Sequence, residues 1–331
     1  MKRLICALLI CMLPLTGGCA MRELSDVGLV RGIALDGNER GGYTVTAAVM
    51  DEEGGYEYLS ADGESLAGAL EEMNTETFLG QNDFIVVSTS VADAKTPLRW
   101  LARSSDGSEK VIWCDGSAGK LLQKVADEEV RPASKLPSTD LRVLSNGMES
   151  VSAAAAVPLG DESGISKMAI VVAYRMERVL TDEEVEGMRI MLGEAADMVV
   201  EQKIYDDMIS ARILTCNAGI SAKKDRNKVA FSVDIRYRYK VESAQGNRDW
   251  RTGRNAAILD ARMDELMGKR VYEAIGACQC ENGDVLNLAA NLKKCTGQSI
   301  EKKDWVLADM DFAVTATGTR EFSTAERARA N

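Results

Sequence analysis

The chain has 331 residues, with 51 Asp and Glu against 40 Lys and Arg and a formal net charge of −11. Such an acidic balance is repelled by phosphate backbones and by anionic headgroups, which argues against nucleic acid as a partner and against a basic patch as a membrane anchor. There is no histidine, which removes Ser-His-Asp and Cys-His nucleophile systems and the commonest zinc and iron ligand. Carboxylate-only or Ser-Lys chemistry stays open but leaves no signature, so the chain reads as non-catalytic, with no cofactor and no metal site.

Met1-Lys2-Arg3 is a positive start, residues 4–15 are an apolar run interrupted by Pro14, and Thr16-Gly17-Gly18 supplies small residues before Cys19. That order is a secretory signal. A Cys directly after the small pair resembles a bacterial lipoprotein signal, in which Cys19 is lipidated and becomes the mature N-terminus. Thr16 stands where that pattern prefers Leu. A membrane-spanning helix needs about 20 apolar residues, more than this run offers. Plain secretion with a free Cys19 and a buried core helix are the competing readings; the basic start and terminal position argue against the helix. Two or more acyl chains, palmitate among them, hold a protein firmly where one does not.

Residues 28–35 and 43–50 read as a hairpin across the turn chemistry of Asp36-Gly37-Asn38 and Gly41-Gly42. Ser65 caps a helix to about Met73, with Leu66, Leu70 and Met73 at helical spacing. Residues 83–88 and 111–114 are buried-type strands with a helix at 97–103 between them. Residues 131–137 hold two of the five prolines and read as a linker; helical pattern returns at 138–145 and stops at Asn146-Gly147. After a strand at 167–174, Thr181 and Glu184 form a capping box. The helix it opens carries Val185, Met188, Leu192 and Ala195 on one face and leads towards a second domain near residue 200.

Residues 229–242 alternate strictly, with Val229, Phe231, Val233, Ile235, Tyr237, Tyr239 and Val241 on one face. Period two means one buried and one wet face, hence a long strand of an antiparallel sheet. Residues 211–222 are its hairpin partner across the charged turn 223–227, and helices at 255–277 and 284–294 precede a closing strand at 310–316. The pattern predicts an α+β, multidomain chain of mostly antiparallel sheets with helices packed on one face. Its divisions are a signal at 1–18, an N-terminal α/β region at 19–200 that splits near 131–150, a C-terminal α+β domain at 201–322 and a tail at 323–331.

Several motifs invite chemistry and read better without it. Gly116-Ser117-Ala118-Gly119-Lys120 looks like a phosphate loop, but is too short between glycines and lacks Ser or Thr after the Lys. It reads as a turn entering a helix. The acidic runs 51–53 and 127–129 lack calcium-loop spacing and read as solvated faces. The methionines of 188–198 read as core. Arg236, Arg238 and Lys240 form a basic stripe on the wet strand face, suited to acidic helices or an acidic partner. Of eight cysteines, Cys6 and Cys11 leave with the signal and Cys19 takes lipid, so Cys114, Cys216, Cys278, Cys280 and Cys295 remain, an odd number that leaves one thiol unpaired. Cys278-Gln279-Cys280 lacks zinc-ribbon spacing. A Cys280–Cys295 disulfide around a short helix stays open beside the reading of these residues as small buried side chains.

Taken in order, several segments resemble the Ger(x)C family, the lipoprotein C subunits of spore germinant receptors. Cys19-Ala20-Met21-Arg22-Glu23-Leu24-Ser25-Asp26 is similar to that family's lipid Cys and Arg-Glu-[Leu/Ile]-x-Asp element, and Val30-Arg31-Gly32-Ile33-Ala34-Leu35-Asp36 to its strand ending in Gly-x-x-x-Asp. Ala156-Val157-Pro158, the strand to Tyr174 and Leu180-Thr181-Asp182-Glu183-Glu184 resemble its middle section. Asp284-Val285-Leu286-Asn287-Leu288, Trp305 and the closing strand to Gly318 resemble its C-terminal domain. The resemblance implies a non-enzymatic chain tethered through Cys19 to the outer face of the spore inner membrane. Its partners would be the integral-membrane A and B receptor subunits, with a small-molecule germinant sensed by the complex. The alternative is an extracytoplasmic lipoprotein that captures a solute for an importer, a class built on parallel strand–helix–strand units. A cell-envelope hydrolase is disfavoured by the missing histidine.

Overall fold

A computed structural model describes residues 28–51, 53–73, 77–78, 82–105, 107–128, 139–142, 144, 154–225, 228–246, 248–250, 253–301 and 304–321. Cys19 with its signal, the linker at 131–137, Asn146-Gly147 and the tail lie outside the described residues; of the helix read at 138–145, Leu141, Arg142 and Leu144 are helical.

Strands β1 (Gly28–Gly37), β2 (Tyr43–Met50) and β3 (Tyr56–Gly63) form an antiparallel meander, Ile33 facing Ala47 and Thr46 facing Ser60. Helix α1 (Leu66–Glu72) follows, its Ser65 hydroxyl accepting the Gly68 N–H, and the two-residue β4 (Thr77–Phe78) runs parallel to the start of β1. Strand β5 (Phe84–Ser88) then joins β1 in parallel, and β6 (Lys110–Cys114) joins β5 in parallel. Strand β7 (Ala154–Asp161) continues the parallel set, and β8 (Gly164–Val172) and β9 (Arg175–Val179) close the sheet antiparallel, giving the order β3-β2-β1-β5-β6-β7-β8-β9.

The centre of this sheet is thus parallel. Helix α2 (Lys95–Ser104) returns the chain between β5 and β6, the crossover a parallel pair requires. Parallel strands are buried on both faces, which accounts for the unbroken apolar runs Ile85-Val86-Val87 and Val111-Ile112-Trp113-Cys114. Ile85, Val87, Val111 and Trp113 join the core on the side of α1 and α2, while Val86, Ile112 and Cys114 meet α3 (Ala118–Ala126) on the other.

Helix α4 (Asp182–Leu192) starts at the anticipated box: Thr181 Oγ1 accepts the Glu184 N–H and the Glu184 carboxylate accepts the Thr181 N–H. It buries Val185, Met188, Ile190 and Met191. Leu192, assigned by periodicity to the same face, is 41 % exposed, because the helix stops there on Gly193 in the left-handed conformation (φ 75°).

The second sheet has the order β10-β11-β12-β13, from β10 (Val199–Ile204), β11 (Asp207–Asp225), β12 (Lys228–Gln245) and β13 (Asp311–Glu321). The strand read from the alternation is β12, and β11 is its hairpin partner, Ile220 facing Val233. Its other neighbour, β13, is parallel, since α5 (Gly253–Cys280) and α6 (Leu288–Thr296) carry the chain back before it forms. Val229, Phe231, Val233, Ile235, Tyr237 and Tyr239 are buried, and α4, α5 and α6 share their core. Each such large apolar side chain contributes roughly 1.5–3 kcal/mol by leaving water. That core also takes in Ala156, Met168 and Ile170 from β7 and β8, so the two sheets share an apolar interior there.

Candidate functional site

Parallel α/β sheets place ligands at the carboxyl ends of their strands, where a helix N-terminus offers unpaired N–H groups to an anion. Here that position lies where β1, β5 and β6 end and α3 begins, and it contains the phosphate-loop look-alike. The structure fills it with the chain's own groups. The Asp36 carboxylate accepts the Ala118 N–H (2.8 Å) and the Gly119 N–H (3.0 Å), and Ser117 Oγ accepts the Lys120 N–H. Ser88 Oγ donates to the Gly116 carbonyl (2.7 Å), and Ser90 Oγ accepts the Gly37 N–H (3.0 Å). A Cβ on Gly119 would stand 2.9 Å from Thr46 Oγ1. The amides a phosphate would need are occupied by a carboxylate 82 residues away. Lys120 instead reaches Glu162 at the surface (3.0 Å).

The residues of the Gly32-to-Asp36 element therefore act together. Gly32 lets α3 approach β1, since a Cβ there would lie 2.7 Å from Leu122 Cδ1, and Asp36 caps the same helix. The C-terminal motif works alike. Asp284 is 7 % exposed and its carboxylate accepts the Leu288 and Ala289 N–H groups at the start of α6, while Val285, Leu286 and Leu288 enter the core. Burial raises the Asp284 pKa, and the two backbone hydrogen bonds work against that rise. Trp305 is buried in the same core.

Under the second sheet, the Tyr237 hydroxyl donates to Asp264 (2.9 Å) and the Tyr239 hydroxyl to Asp260. Burial first, and then those carboxylates, push both phenols far above their ordinary range, so both remain neutral donors. On the wet face, the basic stripe is largely matched in charge. Arg236 pairs with Asp234 (3.0 Å), Arg238 with Glu321 (2.8 Å), and Arg212 with Glu242. A shallow depression there is lined by Thr215, Asp234, Arg236, Arg238, Thr317 and Thr319.

The five described cysteines are unpaired, and the exposed Cys280 and Cys295 are not joined. Burial pushes the Cys114 thiol up to about 12 and Cys216 to about 11, and raises Cys278 further. Thiols so placed stay protonated and are poor nucleophiles and ligands. Among the described residues no group of three Asp, Glu or Cys is placed to hold a metal, and no helix is long and apolar enough to cross a membrane. Cys19, the lipidation residue read from the sequence, lies outside the described residues.

Two domain families match the chain in order. The one described as "Spore germination protein N-terminal domain" covers residues 20–141, and "Spore germination B3/ GerAC like, C-terminal" covers residues 166–319. Among solved structures, the fold is similar to that described as "Crystal Structure of the GerBC protein", with a TM-score of 0.60 over 88% of this chain and 97% of that one at 12% identity. No curated protein matches the chain.

Proposed function

We infer the function from one premise: this chain belongs to the Ger(x)C family of spore germination proteins, whose N- and C-terminal domains it carries in order. A germinant receptor C subunit role follows from that membership. Within it, we read the chain as a lipid-anchored, non-catalytic subunit that acts beside the integral-membrane A and B subunits at the outer face of the spore inner membrane.

The observation that carries this reading is the start of the N-terminal match at residue 20, directly behind Cys19. It supports residues 1–18 as a removable signal and Cys19 as the lipidated first residue of the mature protein. The lack of a membrane-crossing helix among the described residues, together with the acidic balance, favours attachment by lipid and by partners. We place the main domain division near residue 200, at the start of β10, the first strand of the second sheet, giving regions 19–200 and 201–322.

Solute capture shares one feature with this fold, the parallel centre of the first sheet. The Asp36 cap closes the strand ends where a solute would sit, which supports germinant sensing by the assembled complex instead. The test is co-purification of the tagged chain from detergent-solubilised spore membranes, with thermal melting of the soluble region against amino acids and sugars. The reading requires both membrane subunits in the eluate and no large ligand-induced shift. A large shift from one solute, with neither subunit recovered, would establish solute capture.

A further inference from the structure

Proteins keep the edge of a sheet from taking up another strand with charges, short length or side-chain cover. Four edges of this chain are guarded in these ways. β3 carries Glu57 and Asp62, β9 carries Arg175, Glu177 and Arg178, and β10 is six residues long with Glu201 and Lys203. On β13, the Tyr272 hydroxyl and the Asp264 carboxylate bond outward-facing backbone.

The far half of β11 is different. β10 pairs with it over Asp207–Arg212, and the last backbone bonds on that side join Ile213 to Asp197 and Met198. From Thr215 to Asp225, β12 lies along one side, and among the described residues no strand lies along the other. Alternate residues of an antiparallel ladder turn both N–H and C=O away from their neighbour, so this stretch presents a row of unpaired donors and acceptors. Residues 214–222 hold no charge and no proline.

The chemistry of the stretch selects its occupant. It is bounded by the β10 pairing at Ile213 and by the hairpin after Asp225, so its midpoint is Ile220. A second copy running antiparallel about a two-fold axis there sets Ile220 against Ile220, Ala218 against Ala222, Asn217 against Lys223 and Thr215 against Asp225. No like charges meet. Such an axis also keeps the wet faces together and the core faces together. Cys216 and Ile220, half-buried at the rim of the second core, would gain cover from the same rim of the copy. The chain's own tail at 323–331 fits less well: it follows β13, at the opposite edge, and carries Glu326, Arg327 and Arg329.

We propose that β11 is the seam of a homodimer, in which two copies pair antiparallel through residues 215–225 and join their four-stranded sheets into one of eight strands. The pairing stands independently of the receptor reading above.

The experiment co-expresses two differently tagged full-length copies, captures one from detergent and measures recovery of the other. Position 219 faces position 221 of the copy, and both lie on the wet face. A Cβ on Gly219 would stand 3.8 Å from the Asp234 carbonyl, an ordinary contact, so the single chain accepts a side chain there. Gly219→Lys with Ser221→Lys sets like charges directly opposite across the seam, and recovery falls about tenfold. Gly219→Lys with Ser221→Glu, equal in bulk, sets opposite charges there and keeps recovery at the wild-type level. Absence of the second copy from the wild-type eluate would overturn the dimer and leave the edge to another occupant. Undiminished recovery with the double lysine, or equal loss in both variants, would overturn the pairing about Ile220.

Discussion

Gly187 and the carbonyl of Arg270 meet where α4 crosses α5: a Cβ on Gly187 would lie 1.9 Å from that oxygen and 2.8 Å from Ala274 Cβ. Alanine would gain about 1 kcal/mol of helix propensity over glycine. The clash falls on backbone that cannot rotate away, and overpacking of this kind costs about 1–3 kcal/mol. Gly187→Ala is therefore expected to lower the thermal midpoint by several degrees. An unchanged midpoint would show that the helices slide apart without cost.

The same crossing carries a pH signature. Arg270 pairs with Glu186 (2.8 Å), and burial raises the Glu186 pKa above its ordinary 4.5, a rise that Arg270 only partly offsets. The folded state therefore binds this proton more tightly than the unfolded chain. The stabilisation is fully present below pH 4.5 and is lost as pH rises through the raised value. Melting curves of Glu186→Gln and wild type should converge in slope above that window and differ within it. Parallel curves throughout would contradict the burial argument.

Asp36→Ala leaves the Ala118 and Gly119 N–H groups without their carboxylate, at a cost of about 1–3 kcal/mol. It also opens a helix N-terminus to anions. Added phosphate should raise the midpoint of Asp36→Ala and leave wild type unmoved. Equal responses would mean that the carboxylate does not close the site.

The Tyr272 hydroxyl accepts the Val314 N–H (3.2 Å) and donates to the Phe312 carbonyl (3.4 Å), while Asp264 accepts the Gly318 N–H (2.8 Å). These α5 side chains cover part of the outer edge of β13, where unpaired backbone would invite another strand. Hydrogen exchange should accelerate at Val314 in Tyr272→Phe and stay slow at Gly318. Unchanged exchange at Val314 would assign its protection elsewhere.

The sequence was most informative where a pattern is local. Alternation from Val229 to Val241 marked β12 and its wet face, and Thr181 with Glu184 marked the start of α4. Direction of pairing was less legible. Five-residue strands such as β5 and β6 are buried on both faces and carry no period that separates parallel from antiparallel neighbours. Long-range partnerships were hidden altogether. Nothing beside Asp36 announces that it caps a helix beginning at Ala118. Periodicity overran at Leu192 because Gly193 ends the helix before the stripe completes another turn.

The tether is tested most directly by Cys19→Ala in the producing cell, read by palmitate labelling and membrane fractionation in high salt. Lipid anchoring through Cys19 predicts loss of the label and release of the chain into the soluble fraction, with its thermal midpoint unchanged. A Cys19→Ala chain that stays in the membrane fraction without label would contradict it.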